Sequence, residues 1–397
     1  MEVLFVGCVY SDTKKIIYQR ASRRGFQAAA QNLQEALIEG FIQNGIHIRV
    51  LSIPALSTFP MGCRKMVVSG HDYVYNGTKL GRCFGFLNLP FMNKSDSHKT
   101  SRYVDDWYNG TSSDKHIFVY AMLAQQMAIA VAAKRRHPDI RIHLIVPDLP
   151  LYMNCNKYYR ILGLQESNMA SIHQLVNEFD SYVVLAKPMI EALNISDKPF
   201  VVVEGISYSA DDETTGYVKF PEKTIMYAGG IQSRYGVFDL IEAFHRISAE
   251  DYRFILCGGC GEKEELEQCL SRDHRIEYLG LIPTSKVREI QKQVTLLVNP
   301  RHSSEEFTKY SFPSKTLEYM ASGTPVLMSP LPSMPDEYKE HLYLFEDESV
   351  EGMRKAIENI LLKNEVELVG KGAGAKEFIL SQKNPKVQVA KIIDLIQ

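Results

Sequence analysis

The chain has 397 residues, 45% of them hydrophobic and 23% charged, with a net charge of −2. That profile describes a soluble globular protein with room for two ordinary domains, and it leaves no basic footprint for nucleic acid. No apolar run reaches the ~18–20 residues of a membrane span, and the start, Met1-Glu2-Val3-Leu4-Phe5-Val6-Gly7, lacks the basic-then-apolar order of a signal peptide.

Short apolar runs alternate with amphipathic stretches. Strands are expected at 3–7, 48–53, 117–121, 142–147, 181–185 and 200–204, with helices at 25–43 and 121–136. Near-continuous apolar strands separated by helices predict a parallel sheet covered on both faces. Residues 54–115 are rich in Gly, Asn and Ser with interleaved aromatics, and they read as long loops or an inserted subdomain. A polar, turn-rich stretch at 208–221 breaks the pattern, which then restarts. New strands are expected at 225–228, 253–257, 276–279, 296–299 and 325–328, with helices at 237–247, 263–271, 285–293 and 314–321. A final helix is expected at 385–395. The predicted fold class is therefore α/β, two doubly wound Rossmann-like domains facing across a cleft. The domains are 1–207 and 208–382, with 383–397 as a C-terminal helix packing back toward the first. Ligands of such sheets bind at the carboxyl ends of the strands, so the chemistry should lie just after strands.

Seven cysteines, an odd number scattered beside apolar runs, read as reduced thiols. Cys257-Gly258-Gly259-Cys260 has no second ligand pair, and it reads as a glycine turn that carries cysteines. The sequons at Asn76, Asn109 and Asn194 carry no weight without a secretory signal.

Four stretches follow strands in the second half. In Tyr227-Ala228-Gly229-Gly230-Ile231-Gln232-Ser233-Arg234-Tyr235-Gly236-Val237, glycines precede a helix start. Such a loop lets backbone amides approach a phosphate, and Arg234 adds a guanidinium; a plain strand–helix turn is the alternative. In Leu256-Cys257-Gly258-Gly259-Cys260-Gly261-Glu262 the glycine spacing is not that of a dinucleotide fingerprint, which leaves a phosphate or base-edge loop. Tyr278-Leu279-Gly280-Leu281-Ile282-Pro283 ends a strand and offers a surface for a flat base. The last runs from Val298-Asn299-Pro300-Arg301 through Glu305, Glu306, Phe307, Thr308, Lys309, Tyr310, Ser311 and Phe312 to Ser314, Lys315 and Glu318. On a helix Lys315 and Glu318 share a face. A cation suits a diphosphate and a carboxylate suits the vicinal hydroxyls of a ribose. Gly323-Thr324-Pro325 then turns into an apolar strand.

These four stretches, in this order and spacing, resemble the C-terminal domain of family-4 retaining glycosyltransferases of the GT-B fold. The likeness is good over about 220–345 and looser over the whole chain. Phe312-Pro313-Ser314-Lys315 with Glu318-Tyr319-Met320-Ala321-Ser322-Gly323 looks like a bacterial surface-polysaccharide branch of those enzymes. In the family two glutamates stand eight positions apart. Glu318 falls on the second, which implies contact with the ribose, and Tyr310 stands where the first should be. Gly230 and Tyr235 replace an arginine and a lysine of the family's diphosphate clamp. Arg234, Arg301 and Lys315 are the cations that remain, with Ser314 as a further hydrogen-bond donor. The implied donor site comprises Gly229, Gly230, Arg234, Gly258, Gly259, Leu281, Ile282, Arg301, Tyr310, Ser311, Phe312, Ser314, Lys315 and Glu318.

The resemblance assigns the acceptor to the first domain. The first loop, 7–25, carries Lys14, Lys15, Arg20, Arg23 and Arg24 around Ile16, Ile17 and Tyr18. Lys14, Arg20, Arg23 and Arg24 suit an anionic acceptor or a lipid headgroup surface; a solvated loop is the alternative. The apolar segment 79–94 reads as core or acceptor groove, with a membrane contact as the other reading. Asp148, just past a strand, either hydrogen-bonds the acceptor hydroxyl or donor sugar or caps the structure, and His116 and His143 read as strand residues. The implied activity is retaining transfer of a sugar from a nucleotide-diphosphate sugar, with UDP as the expected base, to a saccharide or lipid-linked saccharide. Asp148, Lys315 and Arg234 are the expected catalytic groups, in a front-face reaction whose leaving phosphate takes the acceptor's proton. No Asp-x-Asp in an apolar strand context is present, so no cofactor and no metal are expected. The expected location is cytoplasmic, at the inner face of a membrane. The alternatives are a UDP-sugar epimerase of the same fold and a non-catalytic nucleotide-sugar-binding relative.

Overall fold

The computed structural model of the protein describes residues 1–23, 28–90, 92, 94–110, 114–149, 164–207 and 217–397. It forms two compact units. Unit 1 joins Met1–Tyr208 to Pro385–Gln397, and unit 2 is Ser209–Asn384.

Unit 1 is built on an eight-stranded sheet of order β10-β9-β8-β7-β1-β2-β5-β4. The strands are β1 (Glu2–Gly7), β2 (His47–Ser52), β4 (His71–Tyr75), β5 (Thr78–Cys83), β7 (Lys115–Tyr120), β8 (Arg141–Val146), β9 (Ser181–Val184) and β10 (Phe200–Val202). All pairs are parallel except β4–β5, a hairpin. Its turn, Asn76-Gly77, has φ of 46° and 75° at the two central residues, the left-handed pair that a type I′ turn demands. Alternate residues of β1 face opposite ways. Val3 and Phe5 join Leu37, Ile38 and Phe41 of helix α2 (Ala28–Gln43) and Val389, Ile392 and Ile393 near the C-terminus in one cluster. The opposite face is covered by α4 (Ala124–Arg136), which contacts β1, β7 and β8 and packs beside α3 (Ser97–Asn109) and α5 (Leu164–Val176).

Two expectations for this unit need correction. The stretch read as a loop at 7–25 contains a ten-residue helix, α1 (Asp12–Ala21). The irregular region 54–115 holds β4, β5, a two-stranded ribbon of β3 (Val67–Val68) and β6 (Phe86–Leu87), and α3. The α3 N-terminus is capped by Asp96, whose carboxylate accepts from the His98 and Lys99 amides.

Unit 2 is a six-stranded, fully parallel sheet of order β13-β12-β11-β14-β15-β16. The strands are β11 (Thr224–Ala228), β12 (Arg253–Cys257), β13 (Ile276–Tyr278), β14 (Leu296–Asn299), β15 (Val326–Met328) and β16 (Tyr343–Leu344). In sequence this order is 3-2-1-4-5-6, the Rossmann arrangement, and it reverses between β11 and β14. Helix α6 (Met189–Leu193) precedes β10 and belongs to unit 1. The covering helices are α7 (Val237–His245) and α11 (Val350–Leu361) on one face. On the other lie α9 (Thr284–Gln293), α10 (Ser314–Ser322) and α12 (Glu365–Gln382). Helix α8 (Lys263–Arg272) links β12 to β13.

The last helix, α13 (Pro385–Ile396), packs in unit 1 against α2. A Cβ at Gly40 of α2 would lie 2.3 Å from Val389 Cγ2 and 2.4 Å from the Pro385 carbonyl. Glycine is what lets the two helices close to this distance.

Candidate active site

The crevice of a doubly wound sheet opens where the strand order reverses. In unit 2 that point lies beyond Ala228 of β11 and Asn299 of β14. Gly229 follows β11, and a Cβ there would sit 1.6 Å from Lys315 Nζ and 2.7 Å from the Tyr227 hydroxyl. The Lys315 side chain occupies the space that any other residue would fill. Gly258, with φ of 135°, is as constrained, since its Cβ would lie 1.8 Å from the Gly229 carbonyl oxygen. The two glycine loops therefore touch backbone to backbone.

This contact spends two amides that the glycine pattern suggests for a phosphate. Gly229 N–H donates to the Cys257 carbonyl at 2.7 Å, and Gly258 N–H to the Gly280 carbonyl at 2.8 Å. The loops are further tied by the Tyr227 hydroxyl donating to Gly230 O and the Tyr278 hydroxyl donating to Gly258 O. No described residue accepts from the Gly230 or Gly259 amide, so those two remain for a ligand. Leu281 is exposed and Ile282 is partly packed into the core, with Leu281 Cδ2 3.9 Å from a Cβ at Gly259.

The cations converge on the same place. Arg301 follows β14, and its guanidinium lies 5.0 Å from the Tyr235 ring centre and 5.1 Å from that of Phe307. Arg234 lies over the same two rings at 4.7 and 5.8 Å and donates to the Tyr235 hydroxyl. The rings meet edge to face at 6.1 Å. Two guanidinium groups thus share one aromatic pair. Arg301 Nε is buried and finds no hydrogen-bond acceptor among the described residues, and burial lowers the pKa of the group. Lys315 sits 5.2 Å above the Tyr227 ring. Burial, reinforced by Arg301 nearby, pushes its ammonium down to about 8, against the pull of Glu318. Three cations against one carboxylate form a site short of negative charge.

Helix α10 presents Lys315 and Glu318, and it is held by Tyr319. The Tyr319 hydroxyl accepts from Ala228 N–H at 2.7 Å and donates to Ala228 O at 3.2 Å. Glu318 accepts from Gln291 Nε2 of α9 at 3.1 Å. Gly323, with φ of 80°, ends the helix. Ser314 is exposed at its first position. Tyr310 closes a 3₁₀ turn, its amide donating to Phe307 O. Ser311 uses its carbonyl to accept from Ser333 Oγ. Phe312 differs from expectation: its ring is buried 4.8 Å from that of Tyr338, so it supports the site from the core. The loop holding Arg301 is pinned by His302, which bonds Asp239 at 2.7 Å and lies 3.5 Å from Glu348.

Tyr227, Phe307 and Gln291 carry much of this geometry, and sequence reasoning assigned them no role. Phe307 sits inside a charged run, Glu305-Glu306-Phe307-Thr308-Lys309, where a lone aromatic was the available signal.

In unit 1 the strand order reverses between β1 and β7. There Ala121, a non-glycine residue with φ of 66°, follows β7; strained backbone of this kind concentrates at functional sites. Asp148 lies two residues past β8 and keeps access to solvent, yet surrounding protein raises its carboxyl to about 6. Arg20 and Arg23 are exposed at the C-terminal end of α1 and Lys14 is half-buried within it. Arg24 lies outside the described residues. Lys15 points inward to Glu35 at 2.8 Å. His116 and His143 are buried strand residues bonded to each other at 2.9 Å.

Residues 222–363 match the family model described as Glycosyl transferases group 1. No curated protein matches the chain in sequence. Solved structures match over its whole length. Sucrose-phosphate synthase from Thermosynechococcus elongatus is 15% identical with a TM-score of 0.62, covering 100% of this chain and 98% of that one. HepE from Anabaena, solved with UDP-glucose, is 12% identical with a TM-score of 0.59, covering 100% and 99%. The catalytic domain of starch synthase IV from Arabidopsis thaliana, bound to ADP and acarbose, is 9% identical with a TM-score of 0.64, covering 100% of both. The fold is that of the GT-B glycosyltransferases, with two Rossmann-like domains. Fold and matched domain together support a glycosyltransferase.

Proposed function

We propose that this protein is a retaining, metal-independent glycosyltransferase that uses a nucleotide-diphosphate sugar, with UDP as the base. The observation that carries the reading is the cluster of Lys315, Arg301 and Arg234 beside Glu318 at the strand-order reversal of unit 2. A diphosphate supplies the negative charge this cluster lacks. Lys315 and Arg301 hold it, Arg234 closes on it from the aromatic pair, and Glu318 takes the ribose hydroxyls. Gly230 and Gly259 offer amides, while Leu281, Ile282, Tyr310, Ser311 and Ser314 line the base and sugar ends. Structural neighbours solved with UDP-glucose and with ADP support a nucleotide-sugar donor.

The chemistry follows from where charge develops. As the bond from the anomeric carbon to the phosphate oxygen breaks, negative charge grows on the diphosphate. Preorganised cations there lower the barrier. The acceptor hydroxyl attacks the same face, and its proton passes to the leaving phosphate oxygen, which preserves the anomeric configuration. Asp148 orients the acceptor hydroxyl or the donor sugar. The acceptor is a saccharide or lipid-linked saccharide in polysaccharide or glycoconjugate synthesis at the inner face of a membrane. Its anionic portion is met by Lys14, Arg20, Arg23 and Arg24.

A thermal-shift screen against nucleotide sugars tests the donor site, because stabilisation grows with ligand concentration over Kd. The reading expects a UDP-sugar to respond and Glu318→Ala to abolish the response. No response from any nucleotide sugar would overturn it. Incubating the responding donor without acceptor separates transfer from epimerisation, since only an epimerase forms an epimer alone. NMR of the product anomer then decides retention.

A further inference from the structure

Helix α1 places its apolar residues unusually for a helix packed on a core. Its inner face holds Lys15, Tyr18 and Ala21. Lys15 pairs with Glu35, a buried carboxylate that also accepts from Gln31 at 2.7 Å. The outer face presents Ile16, Ile17 and Arg20, and Ile16 is 59% exposed.

The end of α1 is bonded to a second segment. Ser22 bridges Cys63, Arg23 N–H donates to the Gly62 carbonyl, and Arg64 N–H donates to the Ala21 carbonyl, the last two at 2.8 Å. This segment adds Met61, Met66 and Val67, with Met61 69% and Val67 56% exposed. Among them stand Lys14, Arg20, Arg23, Arg64 and Lys65, and none pairs with an acidic side chain among the described residues. Residues 13–23 and 57–69 contain no Asp or Glu, in a chain where 47 acidic side chains outnumber 45 basic ones.

We propose that this face of unit 1 docks on an anionic lipid bilayer. The isoleucine and methionine side chains enter the boundary between headgroups and acyl chains, and the arginines and lysines remain at the lipid phosphates. Apolar side chains set singly among cations match that layered boundary. A soluble polyanion would engage the cations and leave the five apolar side chains without a role. The inference deepens the lipid-linked acceptor reading by naming the surface that brings the enzyme to such an acceptor. Its test uses no donor, so it fails or stands apart from that reading.

The full chain is floated with vesicles of phosphatidylglycerol and phosphatidylcholine, and with phosphatidylcholine alone, at roughly 0.05 M and 0.5 M salt, since screening lengths differ about threefold between these. Expected are binding to the anionic vesicles, little to the neutral ones, and loss at high salt. Ile16→Ser with Ile17→Ser, Met61→Ser with Met66→Ser, and Arg20→Glu with Arg23→Glu should each lower partition at least about tenfold. Unchanged thermal midpoints of the serine variants show that they fold. Absence of binding to anionic vesicles, or equal binding to neutral ones, would overturn the proposal. Serine variants that bind like the parent while the charge reversal abolishes binding would also overturn it, and would point to a soluble polyanion.

Discussion

Lys315→Met should stabilise the protein while disabling the proposed donor site. Burial holds the Lys315 ammonium at about 8, whereas the same group titrates at 10.5 in an open chain. At about 1.4 kcal/mol for each tenfold change, keeping this side chain charged in the fold costs about 3 kcal/mol at pH 7. Methionine fills similar space without charge but gives up the contact over Tyr227, worth about 0.5–1 kcal/mol. The net expectation is a gain of about 2 kcal/mol in the ligand-free protein, read by urea unfolding. The gain must depend on pH in a fixed direction. Between 8 and 10.5 the unfolded chain binds a proton that the folded one has released, so the parent gains stability as pH rises through that window. The methionine variant lacks this gain, and the two curves should converge near pH 10. The same substitution should abolish stabilisation at pH 7 by whichever nucleotide sugar responds in the thermal-shift screen. A variant that is less stable than the parent, or a difference independent of pH, would refute the argument that Lys315 is a desolvated cation awaiting an anion.

Three further outcomes are expected. Gly258→Ala should cost at least about 3 kcal/mol in urea unfolding, since its Cβ meets the Gly229 carbonyl, whereas Gly280→Ala, left-handed but with open space around it, should cost about 1 kcal/mol. Burial lowers His116 to about 4 and His143 to about 3. The unfolded chain therefore takes up protons first as pH falls below 6.5, stability drops from there toward pH 4, and His116→Phe with His143→Phe should flatten that slope. Ile392→Ala, at a fully buried position of α13, should cost about 2–5 kcal/mol in unit 1 while leaving intact the stabilisation by the nucleotide sugar that responds in the screen.

The strands were readable because both faces of these sheets are buried, which turns each strand into an apolar run. Helix α1 was not, because its inward contacts are a salt bridge, a tyrosine and an alanine while its isoleucines face out. Helix α3 buries Thr100, Val104 and Trp107 at helical spacing, but polar neighbours mask the period. Lys315, Glu318 and the glycines stood out since each follows or starts a regular element. The aromatic pair under the arginines did not. Tyr235 enters from the loop after β11 and Phe307 from the loop after β14, and only the reversal of strand order makes them neighbours.

Helix α13 has a consequence for synthesis of the chain. The residues that complete the core of unit 1 are translated after all of unit 2. On the ribosome, unit 2 can finish folding while the α2 face of unit 1 still waits for Val389, Ile392 and Ile393. The usual order, in which the N-terminal domain folds first, is reversed at its last step. A nascent chain stalled before residue 385 should therefore display a foldable second unit and an unfinished first one.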